Sequence, residues 1–156
     1  MTISLDTLKK LRAETQAGVA DCRQALEDAL GDYKKAKRLL TDRGLEKAAK
    51  KEGKETSQGI VESYVHNGRV GVLVELRSET DFVARTDEFK NLAHEVSLQV
   101  CSMNPKNTRE LLAEPYIRDP NLTIEGLMKQ TIAKVGENIT VARFTRMQLG
   151  DTIVNE

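Results

Sequence analysis

Tryptophan is absent from this 156-residue chain, and aromatic residues make up only 4% of it. The core must therefore rest on Leu, Val, Ile and Ala. Cysteine is nearly missing too. Cys22 and Cys101 form no CxxC or other metal-ligand spacing, which removes a disulfide framework and a thiolate metal site from consideration. Net charge is lacking, with 24 basic residues against 24 acidic ones. Its distribution is mildly uneven, 13 basic against 10 acidic residues up to Gly59 and 11 against 14 beyond it. So shallow a gradient is not the concentrated basic face of a nucleic-acid binder, and the partner expected is a protein, with no direct nucleic acid contact. No apolar run approaches the ~20 residues that span a bilayer. The first residues alternate polar and apolar, unlike a signal peptide. A cytoplasmic protein with no membrane contact is the expectation.

Signatures of catalysis are also scarce. His66 and His94 are the only histidines. His94 and Cys101 lie on one predicted helix but about two turns, or ~10 Å, apart, too far for a nucleophile and its base or for two ligands of one metal. No GxxxxGK[ST], GxGxxG or HExxH motif occurs, and no carboxylate pair is singled out by spacing. The chain is expected not to be an enzyme, with no catalytic residues, no metal ligands and no cofactor of its own.

What is present divides into three stretches. Residues 1–44 read as three short helices. Ser4 is placed to cap the first, with Leu5, Leu8 and Leu11 on one face. Thr15-Gln16-Ala17-Gly18 breaks the pattern, and Cys22, Ala25, Leu26, Ala29 and Leu30 form the inner face of the second. Gly31 fits a C-terminal cap, and Asp32 caps a third helix carrying Tyr33, Ala36, Leu39 and Leu40 and ending at Gly44. Residues 45–58 are rich in Lys and Glu and read as a charged, solvated helical linker; RNA contact through its lysines is the weaker alternative.

In residues 59–156 the period changes to two. Ile60 to His66 and Arg69 to Arg77 flank Asn67-Gly68, a dipeptide that tolerates the positive φ of a tight hairpin. Val70, Val72, Val74 and Leu76 share one face. Thr86 then caps a helix to about Met103, with Phe89, Leu92, Ala93, Val96 and Val100 as its buried stripe. A loop with Pro115 and Pro120 leads to a helix from Thr123 to about Val135, the turn Gly136-Glu137-Asn138, and a third strand from Ile139 to Leu149. This order implies an α+β fold whose three-stranded antiparallel sheet is covered by helices on one face.

The stretch from Glu79 to Arg85 places an acid and an aromatic ring where sheet passes to helix. Two readings compete. In one, Thr80 caps a helical turn, Asp81 favours the positive end of its dipole, and Phe82 packs inward. In the other, Val83 and Ala84 satisfy the inward face, and Asp81 and Phe82 are offered to another protein as an interface anchor.

Several stretches resemble the elongation factor Ts family. Residues Leu11 to Leu26, LRAETQAGVADCRQAL, are similar to the family's LRERTGAGMMDCKKAL, departing at Gln16 for glycine and at Val19-Ala20 for paired methionines. Gly31-Asp32, Lys47-Ala48-Ala49-Lys50-Lys51, the Thr80-Asp81-Phe82-Val83-Ala84 segment and Val135-Gly136-Glu137-Asn138-Ile139 match in order. The resemblance implies a ubiquitin-associated-like (UBA-like) three-helix domain, 1–44, joined by residues 45–58 to an α+β core, 59–156. It implies guanine nucleotide exchange on elongation factor Tu, whose GTPase domain would meet two surfaces. Thr80, Asp81, Phe82 and Val83 would dislodge the partner's Mg2+ site, and Leu11, Arg12, Gly18, Val19 and Ala20 would form a second contact. Long members of the family carry a second core repeat and a coiled-coil insertion between the equivalents of Met103 and Glu114. That stretch is short here, so a homodimer is expected to restore the missing half of the core. A UBA-like interaction module without exchange activity is the alternative.

Overall fold

Apolar residues recurring every three or four positions near the N-terminus produce three helices around a thin core. The computed structural model describes residues 3–152; the expected stretches 1–44 and 59–156 each include end residues outside this range. Helices α1 (Leu5–Thr15), α2 (Val19–Asp28) and the first part of α3 (Tyr33–Lys51) bury Leu11, Cys22, Ala25, Leu26, Ala29, Ala36 and Leu40 together. Asp32 caps α3 by accepting from the Lys35 amide at 3.0 Å. Ser4 makes no such side-chain bond to α1. Two expected inner-face residues instead face water. Leu5 lies in the first turn of α1, outside the small core. Leu30 follows the end of α2 and adopts a left-handed φ of 53° beside Gly31 at 84°, which takes it off the helical face.

Helix α3 does not stop at Gly44 but runs on to Lys51. Gly44 is a close-packing residue here rather than a cap. A Cβ added to it would come 3.3 Å from Cβ of Ala133 on α7 (Ile124–Val135), so glycine lets the two helices approach. One turn further, Ala48 is buried in the larger core. The same helix thus contributes to both hydrophobic clusters. Three ion pairs fasten it back onto its neighbours: Lys37 to Glu14, Arg43 to Asp28 and Lys47 to Asp21. All are solvent-exposed, so each is worth at most about 1 kcal/mol.

Strands β1 (Gln58–His66) and β2 (Val70–Ser78) form the expected hairpin, with Asn67 and Gly68 at φ of 50° and 65°. Strand β5 (Ile139–Gln148) pairs antiparallel with β2, giving the order β1-β2-β5, and the register shifts between Glu75 and Leu76. Val72, Val74 and Leu76 point to the core. There they meet Phe89, Leu92, Ala93, Val96 and Val100 of α5 (Asp87–Met103). Thr86 and Thr123 cap α5 and α7 as expected. The opposite sheet face carries Val61, Val65, Leu73 and Met147, all exposed.

The expected proline-containing loop holds structure of its own. Helix α6 (Thr108–Ala113) and a small ribbon of β3 (Pro115–Tyr116) and β4 (Asp119–Thr123) occupy it, with one-turn helix α4 (Asp81–Ala84) earlier in the chain. Buried Gln99 holds the ribbon by donating to the Pro115 carbonyl and accepting from the Ile117 amide, each at 3.0 Å. Among the described residues no helix is long and apolar enough to cross a membrane.

Candidate functional site

The inward alternation of β2 ends on buried Ser78, and the chain then has to turn at the end of this central strand to reach α5. Thr80 makes that turn. Its hydroxyl accepts from the Val83 amide at 3.4 Å, and its carbonyl accepts from Ser78 Oγ at 2.8 Å. Val83 and Ala84 then drop into the core, Val83 at 5% exposure. Helical geometry sends the preceding residues the other way. Phe82 stands 79% exposed, on a backbone whose carbonyl accepts from the Arg85 amide. Core burial of Phe82 is therefore excluded, and of the two readings of this segment the outward one matches the geometry. Asp81 is exposed beside the ring and paired with Arg85 at 2.5 Å. Both partners are so open to water that the pair costs little to break.

A second turn, leading into the neighbouring strand β5, braces the first at the same end of the sheet. Thr80 donates from its amide to Glu137 Oε2 at 3.0 Å and from its hydroxyl to Oε1 at 2.6 Å. Glu79 returns the contact, accepting from the Asn138 amide at 2.8 Å. Asn138 also donates to the Lys54 carbonyl at 2.8 Å, which ties down the segment leaving α3. Glu79, Glu137 and Asn138 were not singled out by function in the sequence, although the Gly136-Glu137-Asn138 turn was visible. Both stretches lie within segments that resemble the family, but nothing in them points to a bond between the two.

The other expected surface lies at the start of α2. Gly18 is its N-cap, and Val19, at 48% exposure, and Ala20 open its first turn. Arg12 is exposed on α1. Leu11 is not: at 0% exposure it sits in the small core and can act on this surface only by holding α1 against α2. No hydrogen bond or ion pair joins the two surfaces directly among the described residues. Only the α2 surface borders a cleft, through Gly18. This cleft of about 430 Å³ runs between Thr15–Gly18 and α3 on one side and Gln130, Ala133 and Lys134 of α7 on the other. Shortly past Lys134 comes Glu137, which holds Thr80. Within the cleft, the hydrogen bond from Lys37 holds the Glu14 carboxyl below its usual range.

Among the described residues no group of three or more His, Cys, Asp or Glu is placed to hold a metal ion. Fold and site together define an α+β protein with a three-helix N-terminal unit that presents a braced aromatic turn on its surface. A family profile for Elongation factor TS matches residues 79–156. Elongation factor Ts of Fervidobacterium nodosum is 40% identical, the alignment covering 97% of this chain and 100% of the relative. That of Coprothermobacter proteolyticus is 39% identical with the same coverage. The Thermotoga neapolitana protein is 39% identical over 97% of this chain and 99% of its own length. The chain belongs to the elongation factor Ts family, and so to the elongation factors of protein biosynthesis. It is a short member: the Fervidobacterium alignment runs over 197 positions against 156 residues here, leaving at least 41 positions of that relative without a counterpart.

Proposed function

We propose that this chain binds GDP-loaded elongation factor Tu in the cytoplasm and promotes GDP release, so that GTP can enter. The observation that carries the reading is the outward Phe82, next to Asp81, on a turn whose first residue, Thr80, is held through its amide and hydroxyl by Glu137. Phe82 enters an apolar pocket of the partner's GTPase domain, and Asp81 exchanges Arg85 for polar groups beside it. Val83 anchors the turn, and Thr80 starts it. The displaced partner helix no longer supports the shell of oxygen ligands and waters on which Mg2+ depends, and phosphate affinity falls with it. No group of this chain needs to bind the metal or the nucleotide.

Arg12, Gly18, Val19 and Ala20 form the second contact, with Leu11 supporting them from inside. In this reading residues 1–44 are a UBA-like docking unit, 59–156 the core, and 45–58 the connection between them. A second copy of the chain packs on the open sheet face. Such a symmetric pairing covers Val61, Val65, Leu73 and Met147 of each copy with the same residues of the other.

Linkage supplies the test. If the chain lowers GDP affinity, GDP lowers the chain's affinity by the same factor. Titration calorimetry with elongation factor Tu should give tight binding without nucleotide and much weaker binding with saturating GDP and Mg2+. Equal affinity in both conditions would leave an interaction module without exchange activity.

A further inference from the structure

We infer that Glu137 is a positioning residue for the Phe82 wedge: its carboxylate fixes the direction in which the ring is presented, although it sits 57 residues from Thr80 in sequence and need not touch the partner. The inference rests on the exchange reading above and assigns a task within it.

Both carboxylate oxygens of Glu137 are committed to Thr80, one to the amide at 3.0 Å and one to the hydroxyl at 2.6 Å. Donation of that hydroxyl's proton to Glu137 leaves its lone pairs for the Val83 amide, so the cap of α4 is oriented by the acid. The neighbouring bond runs in the opposite direction, from the Asn138 amide to Glu79. Two turns at one end of the sheet are thus locked by reciprocal bonds, each supplying one acid and one amide. Four-residue α4 has almost no helical stability of its own. Without an external hold, the turn between Thr80 and Val83 could rotate the ring while Val83 stayed buried.

The clamp is poorly placed to serve global stability. Both Thr80 bonds to Glu137 lie at the surface, where water replaces a lost partner at small cost. What water does not replace is direction. Ion-paired Arg85 does not substitute, because it grips Asp81 from the same short turn and moves with it.

The chain has no tryptophan, so Phe82→Trp introduces a single indole at the position of interest. Adding Glu137→Ala should lower the fluorescence anisotropy of that indole in the free protein, with the unfolding midpoint nearly unchanged. In the Phe82 background, Glu137→Ala should slow release of fluorescent GDP from elongation factor Tu on the order of tenfold, as two charge-assisted bonds are lost. Glu137→Gln should fall between, since its amide oxygen can accept from the Thr80 amide but its nitrogen cannot accept from the hydroxyl. The deciding comparison is the double variant: Glu137→Ala should add nothing once Phe82 is Ala. An equal slowing in both backgrounds, or no slowing by either Glu137 variant, overturns the inference while the wedge stands. Unchanged release by Phe82→Ala alone overturns both.

Discussion

Phe82→Ala separates a docking residue from a packing residue by magnitude alone. Full burial of a phenylalanine side chain is worth about 1.5–3 kcal/mol. With the ring 79% exposed, only about 0.5 kcal/mol of that is realised in the free chain, and about 2 kcal/mol remains for a partner that covers it. The substitution should therefore lower the unfolding midpoint by no more than about 2 °C in a protein of this size. Phe89→Ala is the internal control. That ring is fully buried against the sheet, and its loss should cost about 3–5 kcal/mol. Binding should reverse the ranking. Calorimetric titration of nucleotide-free elongation factor Tu should show Phe82→Ala weakened by about 2 kcal/mol or more, near 30-fold. A variant destabilised as severely as Phe89→Ala would refute the outward ring. A stable variant with undiminished affinity would refute its role as an anchor.

Other expected outcomes concern the frame that carries the ring. Gln16 closes α1 at a left-handed φ of 55°, so Gln16→Gly should raise stability by about 0.5–1 kcal/mol in chemical unfolding, lower affinity playing no part. Gly44→Leu should push α3 off Ala133 and cost about 1–3 kcal/mol in the same assay; a neutral result would mean that the helices are not in close contact. Leu73→Lys should turn a dimer into a monomer in sedimentation velocity, and a wild type that sediments as a monomer at high concentration would remove the sheet-face pairing. Burial first, and the hydrogen bond to Glu95 second, push the Tyr116 pKa up to about 12. A folded value above the unfolded ~10 means that its contribution is whole below pH ~10 and is lost as pH rises toward 12. Urea midpoints should fall through that window, and Tyr116→Phe should remove this component.

Local chemistry was the legible part of this molecule. Asn67-Gly68 announces a hairpin because few other residues accept both positive φ values, and Asp32, Thr86 and Thr123 announce helix starts because their oxygens reach the amides three residues on. Gly44 shows the limit of such signs. Glycine ends helices and also lets helices touch, and only the presence of Ala133 on another helix decides between the two. Leu30 failed for a related reason: its apolar character fits the inner face, but the turn into Gly31 takes it out of register. Helix α6 and the β3–β4 ribbon are too short to show a period, and the ribbon is held by Gln99 and Glu95 from α5. At the site, the residues alone allow Phe82 to point either way, and only the burial of Val83 and Ala84 in the structure shows the ring outward. The grip of Glu137 on Thr80 spans 57 residues and has no local signature at all.

Exchange through an outward wedge is tested most directly by the rate of fluorescent GDP release from elongation factor Tu, followed by stopped flow as the chain is added in increasing amounts. The wild type should accelerate release until it saturates, while Asp81→Ala/Phe82→Ala, folded to the same midpoint, should leave release close to its spontaneous rate. Release that does not respond to the wild type, or that responds equally to the double variant, would contradict it.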